Sequence, residues 1–212
     1  MSRALRGGKA PTVPADDRDD EEFFALARSV IEAGRMRESA AHRQHGTTST
    51  LLHCIAVAYE ANGLAKRFAM DDTRRAEVVR AALLHDYYLY DWHDGESWHR
   101  LHGLRHGRFA AENARRDYPD LTPDEEDAIR RHMFPLTPVP PASSVGWVVT
   151  LADKRCAGYE TRTRGTQAYG ELRAKCSRFL PDIPVDLPPA GPSQTVSSAS
   201  GPSNPPASGT VR

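Results

Sequence analysis

Between residues 21 and 183 the apolar side chains recur at three- and four-residue spacing, and the faces they form are interrupted by histidines and aspartates. That pattern commits the chain to helices with something polar inside them, because a face that is buried must satisfy every charge it carries. In AALLHD, His85 lies on the stripe of Val78, Ala81 and Ala82, with Asp86 one step round, in a helix predicted over 72–88. His53 falls at the edge of a broad apolar arc in a helix predicted over 48–68, on the side of Val57 and Leu64. His132 shares a face with Ala128 and Ile129, and Asp153 shares one with Val149 and Cys156. His106 interrupts a further apolar stretch.

Other elements follow from local signals. Residues 21–35 carry Phe23, Phe24, Leu26, Ala27, Val30 and Ile31 at helical intervals, with Gly34 as a stop. Thr122, Pro123 and Glu125 spell a capping box for a helix over 122–132, and Pro135, Pro138, Pro140 and Pro141 forbid its continuation. Ser143 or Ser144 then caps a helix running into Asp153. No convincing period-two strands or hairpin turns are seen, so the expectation is an all-α bundle. Residues 1–20 are rich in Gly, Pro, Arg and Asp, and residues 184–212 in Pro, Ser, Gly and Ala. Neither offers enough to bury, so both are expected to be disordered tails around a single helical domain at 21–183.

Charge balances at 28 basic against 28 acidic residues, which leaves no footprint of a general nucleic-acid binder or of a protein drawn to acidic membranes. Cys54, Cys156 and Cys176 have no CxxC spacing and fit neither a disulfide framework nor a thiolate zinc site, so free buried thiols are expected. The N-terminal stretch lacks the apolar core of a signal peptide and no later stretch is long enough to span a bilayer, so a cytoplasmic location is expected. Oligomeric state leaves no mark in the sequence.

Imidazole and carboxylate without thiolate suit a first-row divalent metal, Fe, Mn, Co, Ni or Zn, whereas Mg draws on more oxygens. A carboxylate can bridge two ions, so His53, His85, Asp86, His106, His132 and Asp153 suffice for one or two of them. The order of these residues, in the contexts LLHCIAVA, AALLHDYYLYDWH, RLHGLRHGRFAAENA, IRRHMFPL and VVTLADK, resembles the HD-domain superfamily of metal-dependent phosphohydrolases over about residues 44–160. The resemblance implies an HD-domain-like helical bundle in which His53, His85, Asp86 and Asp153 hold one metal. It further implies that His106 and His132 hold a second, with Asp86 as the bridge.

His102, one helical turn before His106, competes for that role or contacts substrate. His93 and His99 lie in a polar, aromatic connection where a substrate contact and simple surface placement are both open. The implied activity is hydrolysis of a small phosphorylated compound, a nucleotide among the candidates, by a metal-activated water. Asp86 and Lys154 would carry the chemistry, with Lys154, Arg105, Arg108 and Arg131 near enough to the ligands to hold phosphate oxygens. No GxSxG elbow or Walker loop offers another route. The Gly-Lys and GYP motifs of cyclic-dinucleotide phosphodiesterases in the superfamily are absent, so that specificity is not implied. Two alternatives stand beside the hydrolase: a di-iron oxygenase built on the same ligand set, and a non-catalytic regulatory protein with a structural metal.

Overall fold

The computed structural model describes residues 17–45, 48–90, 102–163 and 169–187. Its elements are α1 (Asp17–Ala33), a 3₁₀ segment (Met36–Ala41), β1 (Arg43–His45), β2 (Thr48–Ser49), α2 (Thr50–Arg67), α3 (Asp72–Leu84), α4 (His102–Asp117), α5 (Pro123–Arg131), α6 (Ser144–Arg162) and α7 (Gly170–Phe179). The fold is all-α apart from one two-residue ladder, Arg43 opposite Ser49 and His45 opposite Thr48. Strands this short cannot display a period of two, which is why the sequence pattern does not reveal them.

Helix α2 is the axis of the molecule. Every residue from Thr50 to Ala65 is buried, as expected for a helix with neighbours on all sides. Ala56, Ala58, Ala61, Gly63 and Ala65 keep its girth small, and α3 and α6 pack along it. α1 and the 3₁₀ segment close one side, through Phe23, Phe24, Ile31 and Met36. α4 and α5 close another, α5 lying against both α3 and α6.

The helix starts follow the sequence signals. Ser49 caps α2 by accepting from the Leu52 amide at 3.0 Å, and Asp71 caps α3 through Arg74 at 2.9 Å. At α5 both halves of the capping box form: the Glu125 amide donates to Thr122 Oγ1 and the Thr122 amide to Glu125 Oε2. Ser143 caps α6.

Three boundaries differ from expectation. α3 ends at Leu84 rather than continuing to Tyr88: His85 is its C-cap, the Tyr87 amide bonds back to the Leu84 carbonyl at 3.1 Å, and Leu89 takes a left-handed φ of 57°. His85 and Asp86, at this helix end, are both buried. α1 begins at Asp17, inside the stretch expected to be tail, and Asp20 is buried where it accepts from Tyr59 and pairs with Lys175 at 2.6 Å. At the far end Val185 is buried, its carbonyl accepts from Ser49 Oγ, and Asp186 pairs with Arg173. α4 and α7 are further helices that the sequence reading did not delimit. All three cysteines are buried and free. No helix among the described residues is long and apolar enough to cross a membrane.

The cap of α2 is thus tied to a residue far along the chain. A chain ending at Pro184 should be less stable than one ending at Leu187 by about 1–3 kcal/mol, from the lost burial of Val185 and its hydrogen bond to Ser49. Urea unfolding of the two chains measures the difference.

Candidate metal centre

The six residues singled out in the sequence come together from five places in the fold. His53 lies in the first turn of α2, His85 and Asp86 at the end of α3, His106 in α4, His132 at the C-cap of α5, and Asp153 in the middle of α6. All six are buried. His93 and His99, and the side chain of His102, lie outside the described residues.

The donor atoms form two groups that share Asp86. In the first, four atoms alternate around a ring: His53 Nε2 to Asp153 Oδ1 3.4 Å, Asp153 Oδ1 to His85 Nε2 3.8 Å, His85 Nε2 to Asp86 Oδ2 3.4 Å, and Asp86 Oδ2 to His53 Nε2 3.8 Å. In the second, Asp86 Oδ1 faces His106 Nε2 at 3.2 Å and His132 Nε2 at 3.6 Å, with the two nitrogens 2.8 Å apart. The two carboxylate oxygens of Asp86 therefore point to different partners. Donors bound at about 2.1 Å to one ion with angles of 90–110° stand about 3.0–3.4 Å apart, close to these spacings.

The electrostatics suit a cation. Burial opposes ionisation of Asp86, and the surrounding His85, His106 and His132 rings outweigh it, holding the carboxyl well below the usual range. Asp153 is held low as well, burial being outweighed by His53, His85 and Lys154. Burial pushes the His85 imidazole down, and burial together with the His106 and His85 rings pushes His132 down to about 3. Anionic carboxylates and neutral imidazoles are the protonation states in which these groups bind metals; His53 departs from this without a cation, since its burial is outweighed by Glu160 and Asp153, which push its imidazole up. His85 Nε2 and Asp86 Oδ1 are buried without a hydrogen-bond partner, although each points into the cluster. Such orphaned donors are costly unless something satisfies them, and a divalent cation would satisfy both.

Around the cluster a second layer holds the donors in place, and most of it escaped the sequence reading. Gln44 in β1 donates from Nε2 to Asp86 Oδ2 at 2.6 Å, while its Oε1 accepts from Tyr88 at 2.6 Å and from Thr50 at 3.3 Å. Lys154, expected to reach a substrate phosphate, instead donates to Asp153 Oδ2 at 2.7 Å and to the His132 carbonyl at 3.3 Å. It leaves Oδ1 of Asp153 to face the histidines. Arg108 pairs with Glu112 and Arg131 with Asp127, so neither points its charge at the cluster. The adjacency of Lys154 to Asp153 was visible in the sequence; Gln44 carried no signal, since its role depends on a ladder too short to predict.

A family model for the HD domain matches residues 50–158, just over half of the chain, and the protein belongs to that family, whose members are generally metal-dependent phosphohydrolases. The matched span contains all six buried donors. No curated protein and no solved structure matches the chain.

Gly107, next to His106, shows how tightly the second group is set. A Cβ there would meet the Arg130 carbonyl at 2.8 Å and the Ile129 carbonyl at 3.2 Å, backbone atoms of α5 that cannot swing aside. The Ile129 carbonyl is also the partner of His132 Nδ1 at 2.8 Å. Gly107→Ala should therefore push α4 from α5, cost about 1–3 kcal/mol by overpacking, and weaken metal uptake at the His106–His132 pair while sparing the other group. Thermal unfolding with elemental analysis of the purified variant checks both effects.

Proposed function

We propose that the protein is a metal-dependent phosphohydrolase acting on a small phosphorylated substrate, with ions held by His53, His85, Asp86 and Asp153 on one side of Asp86 and by His106 and His132 on the other. The observation that carries this reading is the division of the Asp86 carboxylate, Oδ2 towards one pair of histidines and Oδ1 towards the other. Fe, Mn, Co, Ni or Zn bound there supplies Lewis acidity towards a phosphoryl oxygen and a water acidic enough to act as hydroxide near neutral pH.

The chain's own residues prepare that chemistry. Lys154 holds the outer oxygen of Asp153, so that Oδ1 stays on the cluster, and Gln44 fixes Asp86 by donating to Oδ2, the oxygen on the His53–His85 side. The backbone carbonyls of Ala82 and Ile129 accept from Nδ1 of His85 and His132, which leaves each Nε2 as a lone-pair donor facing inward. Arg105, exposed beside His106, is the cation assigned to the substrate phosphate. A protein nucleophile is disfavoured: burial pushes the Cys54 thiol well up, and the Thr50 hydroxyl is engaged with Gln44.

The experiment is elemental analysis of protein purified without a metal-affinity tag, followed by a screen of phosphate monoesters and diesters with oxygen uptake recorded alongside. About two metal ions per chain and release of phosphate or a nucleotide are expected. Oxygen consumption by an iron-loaded protein without phosphate release would replace hydrolysis with oxygenation. Metal that stabilises the fold without turnover would make the centre structural. Asp86→Ala should lose metal and activity together, whereas His132→Ala should keep about one ion per chain; full metal content in Asp86→Ala would refute the assignment.

A further inference from the structure

The outward nitrogens of the histidines are held in two different ways. His85 and His132 turn Nδ1 to backbone carbonyls, at 2.7 and 2.8 Å. His53 turns Nδ1 to a carboxylate, Glu160 Oε1, at 2.9 Å. The Glu160 side chain is entirely buried, and the same oxygen accepts from the Tyr169 hydroxyl at 2.9 Å. Tyr169 precedes α7 in a left-handed conformation, φ 62°, with its ring against Tyr159 at 5.1 Å. Glu160 follows Asp153 by two turns of α6, so one helix supplies both a donor of the first group and the anion behind another of its donors.

A backbone carbonyl would orient His53 as well as it orients His85. Burying an anion instead costs several kcal/mol, so the charge needs its own explanation. A carboxylate behind an imidazole makes the far nitrogen a better donor to a cation. The negative charge is also unevenly shared. The first group has Asp153, whose outer oxygen pairs with Lys154, one oxygen of Asp86 and Glu160 behind it, and the second has the other oxygen of Asp86 with two imidazoles.

We infer that Glu160, held by Tyr169, is a positioning residue that makes the His53–His85–Asp86–Asp153 group the tighter of two metal positions, leaving the His106–His132 position to exchange. The inference rests on the metal-centre reading of these same residues.

Titration of chelator-stripped, full-length protein with Co²⁺, followed by calorimetry and by cobalt visible absorption, tests it. The wild type should take up Co²⁺ in a tight and a weaker phase. Glu160→Gln keeps the shape and the acceptor oxygen but removes the charge; it should weaken the tight phase about 10- to 100-fold and leave the weaker phase in place. Tyr169→Phe should shift the tight phase in the same direction by less, and carries the test if Glu160→Gln does not fold. An unaltered tight phase in both variants, or equal weakening of both phases, overturns the role of Glu160 while the metal centre stands. No uptake of Co²⁺ by the wild type overturns the metal reading and this inference together.

Discussion

The Asp86 carboxylate is ionised and almost wholly removed from water, a state that costs several kcal/mol unless the surroundings return it. Much of the architecture can be derived from that requirement. His85 and Asp86 stand together where α3 ends at Leu84. The two-residue ladder has to exist so that Gln44 can reach Oδ2, and Gln44 in turn needs Tyr88 and Thr50 to saturate its own oxygen. A single buried charge thus draws on a two-residue ladder and a hydrogen-bonded chain of side chains that hydrophobic packing alone would not demand.

The surrounding helices meet a second requirement, close approach. Donor atoms 2.8–3.8 Å from their neighbours, on three helices and two helix ends, call for backbones that pack tightly. Small residues stand where this happens: the alanines of α2, Gly107 against the carbonyls of α5, and Gly146 of α6, where a Cβ would meet Pro141 at 2.6 Å and Ala128 at 3.4 Å. Larger residues at these points would leave the same helices in the same order and the donors too far apart to share a cation.

The ligand-bearing faces were legible in the sequence because each is an apolar helical stripe with one polar residue on it. The capping box at Thr122 was legible because its three residues are adjacent in the chain. What stayed hidden depends on contacts between distant segments. Gln44 reads as a polar residue before a helix, Glu160 as one more acid in a charged stretch, and Val185 as part of a Pro-rich tail, yet each is placed by a partner at least 42 residues away. The end of α3 is overrun because YYLY continues the apolar run, whereas the chain leaves the helix at Leu84 in a turn closed by the Tyr87 amide on the Leu84 carbonyl.

The donors are strung over one hundred residues of chain, from His53 to Asp153, and no two of the helices that carry them are held together by a disulfide. An unfolded chain cannot gather them, so an ion that binds the cluster binds the native state almost exclusively. Each tenfold rise in free metal above its dissociation constant then adds about 1.4 kcal/mol to the folded state. With an ion held there, the durability of the whole bundle would become a function of the metal supply around it.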